Sequence, residues 1–104
     1  MVQLPPKVRH LIDKYLQTLR QNNIPIQDAI LFGSYANGSH KWSDIDIALV
    51  SEIFVGDRIA DKDKIRKITL SVSSEIEGIP FSPGDFNLQN PFAKEVLKTG
   101  IRLI

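Results

Sequence analysis

Apolar positions near the start of the chain recur with a helical period: Val8, Leu11, Ile12, Tyr15, Leu16 and Leu19 follow an i, i+3, i+4, i+7 series. Lys7, Arg9, Asp13, Lys14 and Gln17 stand between them, so one stripe faces a core and the other faces water. His10 falls on the polar side and reads as inert. Pro5-Pro6 opens this segment and Asn22-Asn23 with Pro25 closes it, which predicts a helix over 6–22. The period then changes. Ala29-Ile30-Leu31-Phe32 is apolar throughout between Pro25 and Gly33, the pattern of a strand buried on both faces. From Asp44, the run Asp-Ile-Asp-Ile-Ala-Leu-Val alternates and then turns wholly apolar, which predicts a second strand whose first half has one wet face.

Further along, Ile59, Ile65, Ile68 and Val72 among many charges predict a helix over 57–73. Its basic residues Lys62, Lys64, Arg66 and Lys67 are balanced by Asp57, Asp61 and Asp63, the habit of a solvated helix face. Ser74 to Phe81 reads as a third strand, with Ile76 facing one way and Glu75 and Glu77 the other. Pro83-Gly84 marks a turn. Asn90-Pro91 supplies a cap residue and a proline for a last helix through Thr99. Gly100 stops that helix, and Ile101 to Ile104 returns as an edge strand. With a short helix over 35–38 capped by Ser34, the order becomes α-β-α-β-α-β-α-β. The expectation is an α/β (α+β) fold: one small domain over 1–104, a mixed sheet with helices packed against it.

Composition narrows the function classes. A chain of 104 residues allows one compact domain, and 42% hydrophobic with 24% charged residues is a globular mixture. Thirteen Lys and Arg stand against twelve Asp and Glu, a net charge of +1. That balance lacks the basic excess of a protein built on phosphate-backbone neutralisation, so nucleic acid is not the expected partner. The lack of cysteine excludes disulfides and thiolate metal sites. No apolar run approaches the roughly 18 residues of a membrane span, and the first residues lack the pattern of a signal peptide. A cytoplasmic protein is the expectation.

Candidate chemistry concentrates between Gly33 and Leu49. Asp44 and Asp46 fall at i and i+2 of a strand, hence on one face with α-carbons about 6.6 Å apart. Two such carboxylates repel one another without a cation and can converge on metal ions with one. Alone, Asp-x-Asp is as compatible with a solvated strand end. Gly33 after a buried strand lets backbone approach a ligand closely, and the Ser34 hydroxyl with the following N–H groups favours phosphate oxygens. Alone, this too is an ordinary strand-to-helix turn. Together they carry more weight: a phosphate-holding turn, nine intervening residues (Tyr35 to Ser43), then paired aspartates opening the next strand.

This arrangement resembles the nucleotidyltransferase superfamily of DNA polymerase β, and within it the minimal nucleotidyltransferases. The likeness extends to the tail, where Asn90-Pro91-Phe92-Ala93-Lys94-Glu95 and Thr99-Gly100-Ile101 are similar to the closing helix and strand of bacterial members. The resemblance implies that Gly33 and Ser34 hold the triphosphate of ATP and that Asp44 and Asp46 bind two Mg²⁺ ions. It also implies a third carboxylate from the following strand. Glu75, Glu77 and Asp85 are the candidates. Glu77 fits the family's frame, in which the acid falls just before a Pro-Phe pair, here Pro80-Phe81. Relatives often have ten residues in the loop where this chain has nine, which puts the loop's own contacts in doubt. Lys41 there could reach a phosphate or simply be solvated. His40 could shuttle a proton, and Trp42 could stack on a base or anchor the loop.

Free-standing relatives of this size resemble the antitoxins of two-gene systems, paired with a HEPN toxin whose tyrosine receives AMP. The resemblance therefore implies an Mg²⁺-dependent transferase acting on such a partner. Two alternatives stay open: a binding module that neutralises its partner by contact alone, and a transferase for small molecules. The apolar tail Ile101, Leu103 and Ile104 on an edge strand leads us to expect association with a second copy or with the helical partner; the alternative is that these residues are simply core.

Overall fold

A computed structural model describes residues 4–33 and 44–104. Its elements run α1 (Pro6–Gln21), β1 (Asp28–Phe32), β2 (Ile45–Val50), α2 (Arg58–Val72), β3 (Ile76–Phe81), α3 (Pro91–Thr99) and β4 (Ile101–Arg102). The four strands form one mixed sheet in the order β3-β2-β1-β4. β1 runs antiparallel to β2 and to β4, whereas β2 and β3 are parallel, joined by α2. The expected α+β fold, a mixed sheet with helices packed against it, is thus observed. The predicted helix over 35–38 lies outside the described residues.

Alternation along the strands sorts the core into two layers. On one face Leu31, Ile45, Ile47, Leu49 and Ile76 pack against Val8, Ile12, Tyr15 and Leu19 of α1 and Ile65 of α2. On the other, Ile30, Ala48, Val50, Ile79 and Phe81 pack against Ala93 and Val96 of α3. Phe81 and Phe92 meet edge to face at 5.5 Å, which ties α3 to the edge strand. Asn90 caps α3 as predicted, its side chain accepting from the N–H groups of Phe92 and Ala93.

Tyr15 joins three elements. Buried in α1, its hydroxyl lies 2.7 Å from Thr69 Oγ1 of α2, and burial pushes its pKa up from 10.0 to about 12. The same hydroxyl packs onto Gly78 of β3 so closely that a Cβ there would overlap it. Only a glycine lets helix and strand come that near.

Three expectations need correction. The C-terminal edge strand spans only Ile101–Arg102: Ile101 and Leu103 pack against the core, and Ile104 turns outward. Glu75 precedes β3 rather than belonging to it, although its carbonyl accepts from the Ile45 N–H. The largest difference is in α2. Ile59, taken as an apolar contact, is 77% exposed, while Asp61, taken as solvated, is 1% exposed. Asp61 reaches back to the loop before its helix and accepts from the N–H groups of Val55 (2.9 Å) and Gly56 (2.9 Å) and from Lys64 (3.1 Å). Those donors hold its pKa below the usual carboxylate range, outweighing the opposing effect of burial. Asp57 caps the helix through Ile59 and Ala60. No helix among the described residues is long and apolar enough to cross a membrane.

Candidate active site

β2 carries its fully buried Ile45 and Ile47 toward α1 and α2, which forces Asp46 onto the opposite face. Asp44, one position before the strand, follows the same alternation and is exposed. The register then brings groups to Asp46 from both neighbouring strands. Phe32, the last residue of β1, lies opposite Asp46 in the antiparallel pair. Glu77 lies opposite it in the parallel pair. Gly33 follows Phe32 with φ of +74°, and a Cβ there would fall 2.6 Å from Asp46 Oδ2. The glycine is required twice, for its left-handed backbone and for the space its missing side chain leaves beside the carboxylate.

Electrostatics at this end of the sheet favour a cation. Burial, then the charge of Glu77, then that of Asp44 push the Asp46 carboxyl above its usual range. Hard carboxylate oxygens on adjacent strands suit Mg²⁺, which is held by one or a few carboxylates together with substrate phosphates. The donor set therefore fits the ion. Among the described residues, however, no three acidic or histidine side chains are already gathered about a common point. Glu77 is instead drawn to Lys62 of α2, with Nζ 3.1 Å from Oε1. Beside this pair a cleft of about 430 Å³ opens between α2 and β3, with Asp44, Glu77, Lys62 and Arg66 at its rim and Ile65 and Ile76 within.

Of the residues singled out from sequence, Gly33, Asp44, Asp46 and Glu77 come together here. Glu75 sits just before β3. Asp85 lies past the far end of that strand, accepting from Ser82 and facing Gly56. Ser34, His40, Lys41 and Trp42 lie outside the described residues. Lys62, expected on a solvated helix face, instead meets Glu77 across fifteen positions of chain, a pairing with no local signal. The one available hint was Lys62 and Arg66 at i and i+4, which share a helix face.

A small α+β domain with a glycine turn and a row of acids along adjacent strands defines a class of phosphoryl-handling proteins. The comparisons make it definite. The family model for the nucleotidyltransferase domain matches residues 12–99, and the chain belongs to that family. The CCA-adding enzyme of Methanocaldococcus jannaschii is 33% identical over 76 residues, which is 72% of this chain and 16% of that enzyme. The chain thus spans about a sixth of that relative. Among solved structures, a toxin–antitoxin with AMP-PNP aligns with a TM-score of 0.61 at 29% identity, covering 88% of this chain and 71% of the other. A tri-AMPylated Shewanella oneidensis HEPN toxin in complex with MNT antitoxin aligns with a TM-score of 0.62 at 24% identity over 93% and 71%, a likeness of fold.

Proposed function

We propose that this chain transfers AMP from ATP to a tyrosine hydroxyl of a HEPN-type toxin and thereby acts as its antitoxin. The observation that carries the reading is the convergence of Gly33, Asp46 and Glu77 at one end of the sheet, set by the registers of β1–β2 and β2–β3. The likeness to a toxin–antitoxin structure at 29% identity supports a toxin as the partner.

Asp44, Asp46 and Glu77 are the residues that would hold two Mg²⁺ ions. Such ions, when bound, polarise the α-phosphate and neutralise charge on the departing pyrophosphate. Gly33 and Ser34 would receive the triphosphate, with Lys41 as a point charge on it. Glu77, on β3, would accept the proton of an incoming hydroxyl as that oxygen bonds to the α-phosphorus and the bond from the phosphorus to pyrophosphate breaks. Positioning and charge neutralisation provide most of the rate. A reaction that uses ATP would fit the cytoplasmic location expected from the sequence.

The test is to incubate the chain with its partner toxin, ATP and Mg²⁺ and weigh the toxin by mass spectrometry. An increase of one or more AMP units, absent with Asp44→Asn plus Asp46→Asn, is expected. Silencing of the toxin with no change in mass would overturn the reading in favour of inhibition by contact. Calorimetry adds an independent measure: Mg²⁺-ATP should bind the double variant far more weakly than the wild type.

A further inference from the structure

Three carboxylates at one end of the sheet repel one another, and one of them has a cation of the chain's own beside it. Glu77 is paired with Lys62 of α2, with Nζ 3.1 Å from Oε1. Both side chains keep 40% or more of their surface in water, so the pair contributes little to stability.

Lys62 is also well placed by its surroundings. Asp61, the residue before it, is buried and fastened to the loop N–H groups of Val55 and Gly56, which fixes where the first turns of α2 lie. Arg66, one turn further on, is engaged by Asp63 at 3.0 Å, and Lys64 by Asp61. Among the described residues, Lys62 is the cation that reaches the acidic row.

We propose that Lys62 is the positioning residue of Glu77: it holds this carboxylate to the α2 side, apart from Asp44 and Asp46, and yields it when a divalent cation enters between the three. The inference rests on the reading of Asp44, Asp46 and Glu77 as metal ligands. Lys62 then competes with the cation for one ligand. A nucleotide-free protein binds metal weakly, and the metal–nucleotide pair, which brings phosphate oxygens to the site and to the freed ammonium, binds well. Each step conserves charge: one carboxylate exchanges an ammonium for a metal ion, and the ammonium finds an anionic oxygen instead.

Binding of Mn²⁺ alone to the nucleotide-free chain, followed by electron paramagnetic resonance, tests this without reference to turnover. Lys62→Met should bind Mn²⁺ about fivefold more tightly, the order expected from removing one positive charge a few ångströms from the ion in a watery setting. Lys62→Arg, which keeps the charge and the hydrogen bond, should stay within about twofold of wild type. In a Glu77→Gln background the gain from Lys62→Met should disappear. An unchanged or weaker affinity in Lys62→Met overturns the proposal. So does a gain that persists with Glu77→Gln, since Lys62 would then act through general charge rather than through this carboxylate. Asp46→Asn separates the two layers of argument. If it leaves Mn²⁺ binding unaltered, the metal reading itself falls; if it abolishes binding while Lys62→Met changes nothing, only the role of Lys62 falls.

Discussion

Asp46 and Asp61 are both withdrawn from water, and they stand at opposite ends of the parallel β2–β3 pair. Around Asp61 the chain has gathered donors: two loop N–H groups and an ammonium, enough to hold its carboxyl below the usual range despite burial. Around Asp46 it has gathered acids, and the carboxyl is pushed the other way by burial, Glu77 and Asp44. Among the described residues none donates a hydrogen bond to it. A satisfied buried carboxylate holds structure together. A partly buried one crowded by like charges is a cost to the fold that a bound cation can relieve. The contrast sets an acid fastened into the fold apart from one whose surroundings suit a cation, as the proposed function requires.

The sharpest way to break this comparison is Asp61→Ala. It strands two loop N–H groups and takes one acceptor from Lys64, so it should cost about 2–4 kcal/mol in denaturant unfolding. A loss near zero would mean that the loop finds other partners and that Asp61 is no different from Asp46. The pH dependence sharpens the point. Because the folded pKa of Asp61 is lowered, its contribution is fully present above the unfolded value near 3.9 and is lost as pH falls through the folded one. Wild-type stability should thus drop more steeply in acid than that of Asp61→Asn.

Tyr15 supplies a neutral reference of similar size. Its folded pKa of about 12 against 10.0 unfolded means that stability is intact below pH 10 and declines between 10 and 12. The total is roughly 2–3 kcal/mol by linkage. Tyr15→Phe should lose that alkaline limb in a pH series of melts.

Gly33→Ala should cost about 1–2 kcal/mol from its left-handed backbone. It should also weaken Mn²⁺ binding severalfold, because the new Cβ displaces the Asp46 carboxylate. Smallest is Asp46→Asn in the metal-free chain. Removing a repelled charge should stabilise by less than about 1 kcal/mol, since the site is partly screened by water. A clear destabilisation in thermal melts would show that Asp46, like Asp61, has a structural role.

Much of this was legible in sequence because it is periodic or local. A helical period marked α1, an unbroken apolar run marked β1 and alternation marked β2, and the Asn90-Pro91 pair marked the start of α3 to the residue. Asp44, Asp46 and Gly33 could be singled out because their relation is carried by spacing along one hairpin-like stretch. Asp61 and Ile59 were read the wrong way round because both lie on a helix whose charges are mixed. What decides their burial is a loop that folds over one side of the first turn. An acid in the first helical turn after a glycine-containing loop was the available signal, since such acids turn back toward free N–H groups. The pairing of Lys62 with Glu77 depends on how α2 lies across β3, and no spacing rule conveys that.

The fit of Tyr15 over Gly78 has a consequence on the far side of the sheet. Sliding β3 by one residue would place Glu77 or Ile79 beneath the phenol, and neither leaves room for it. The strand can therefore seat at one notch only, and at that notch Glu77 stands level with Asp46. A tyrosine and a glycine that take no part in the chemistry thus act as a locating pin. They gauge the reactive edge from behind, so that the alignment of its carboxylates is decided where no substrate can disturb it.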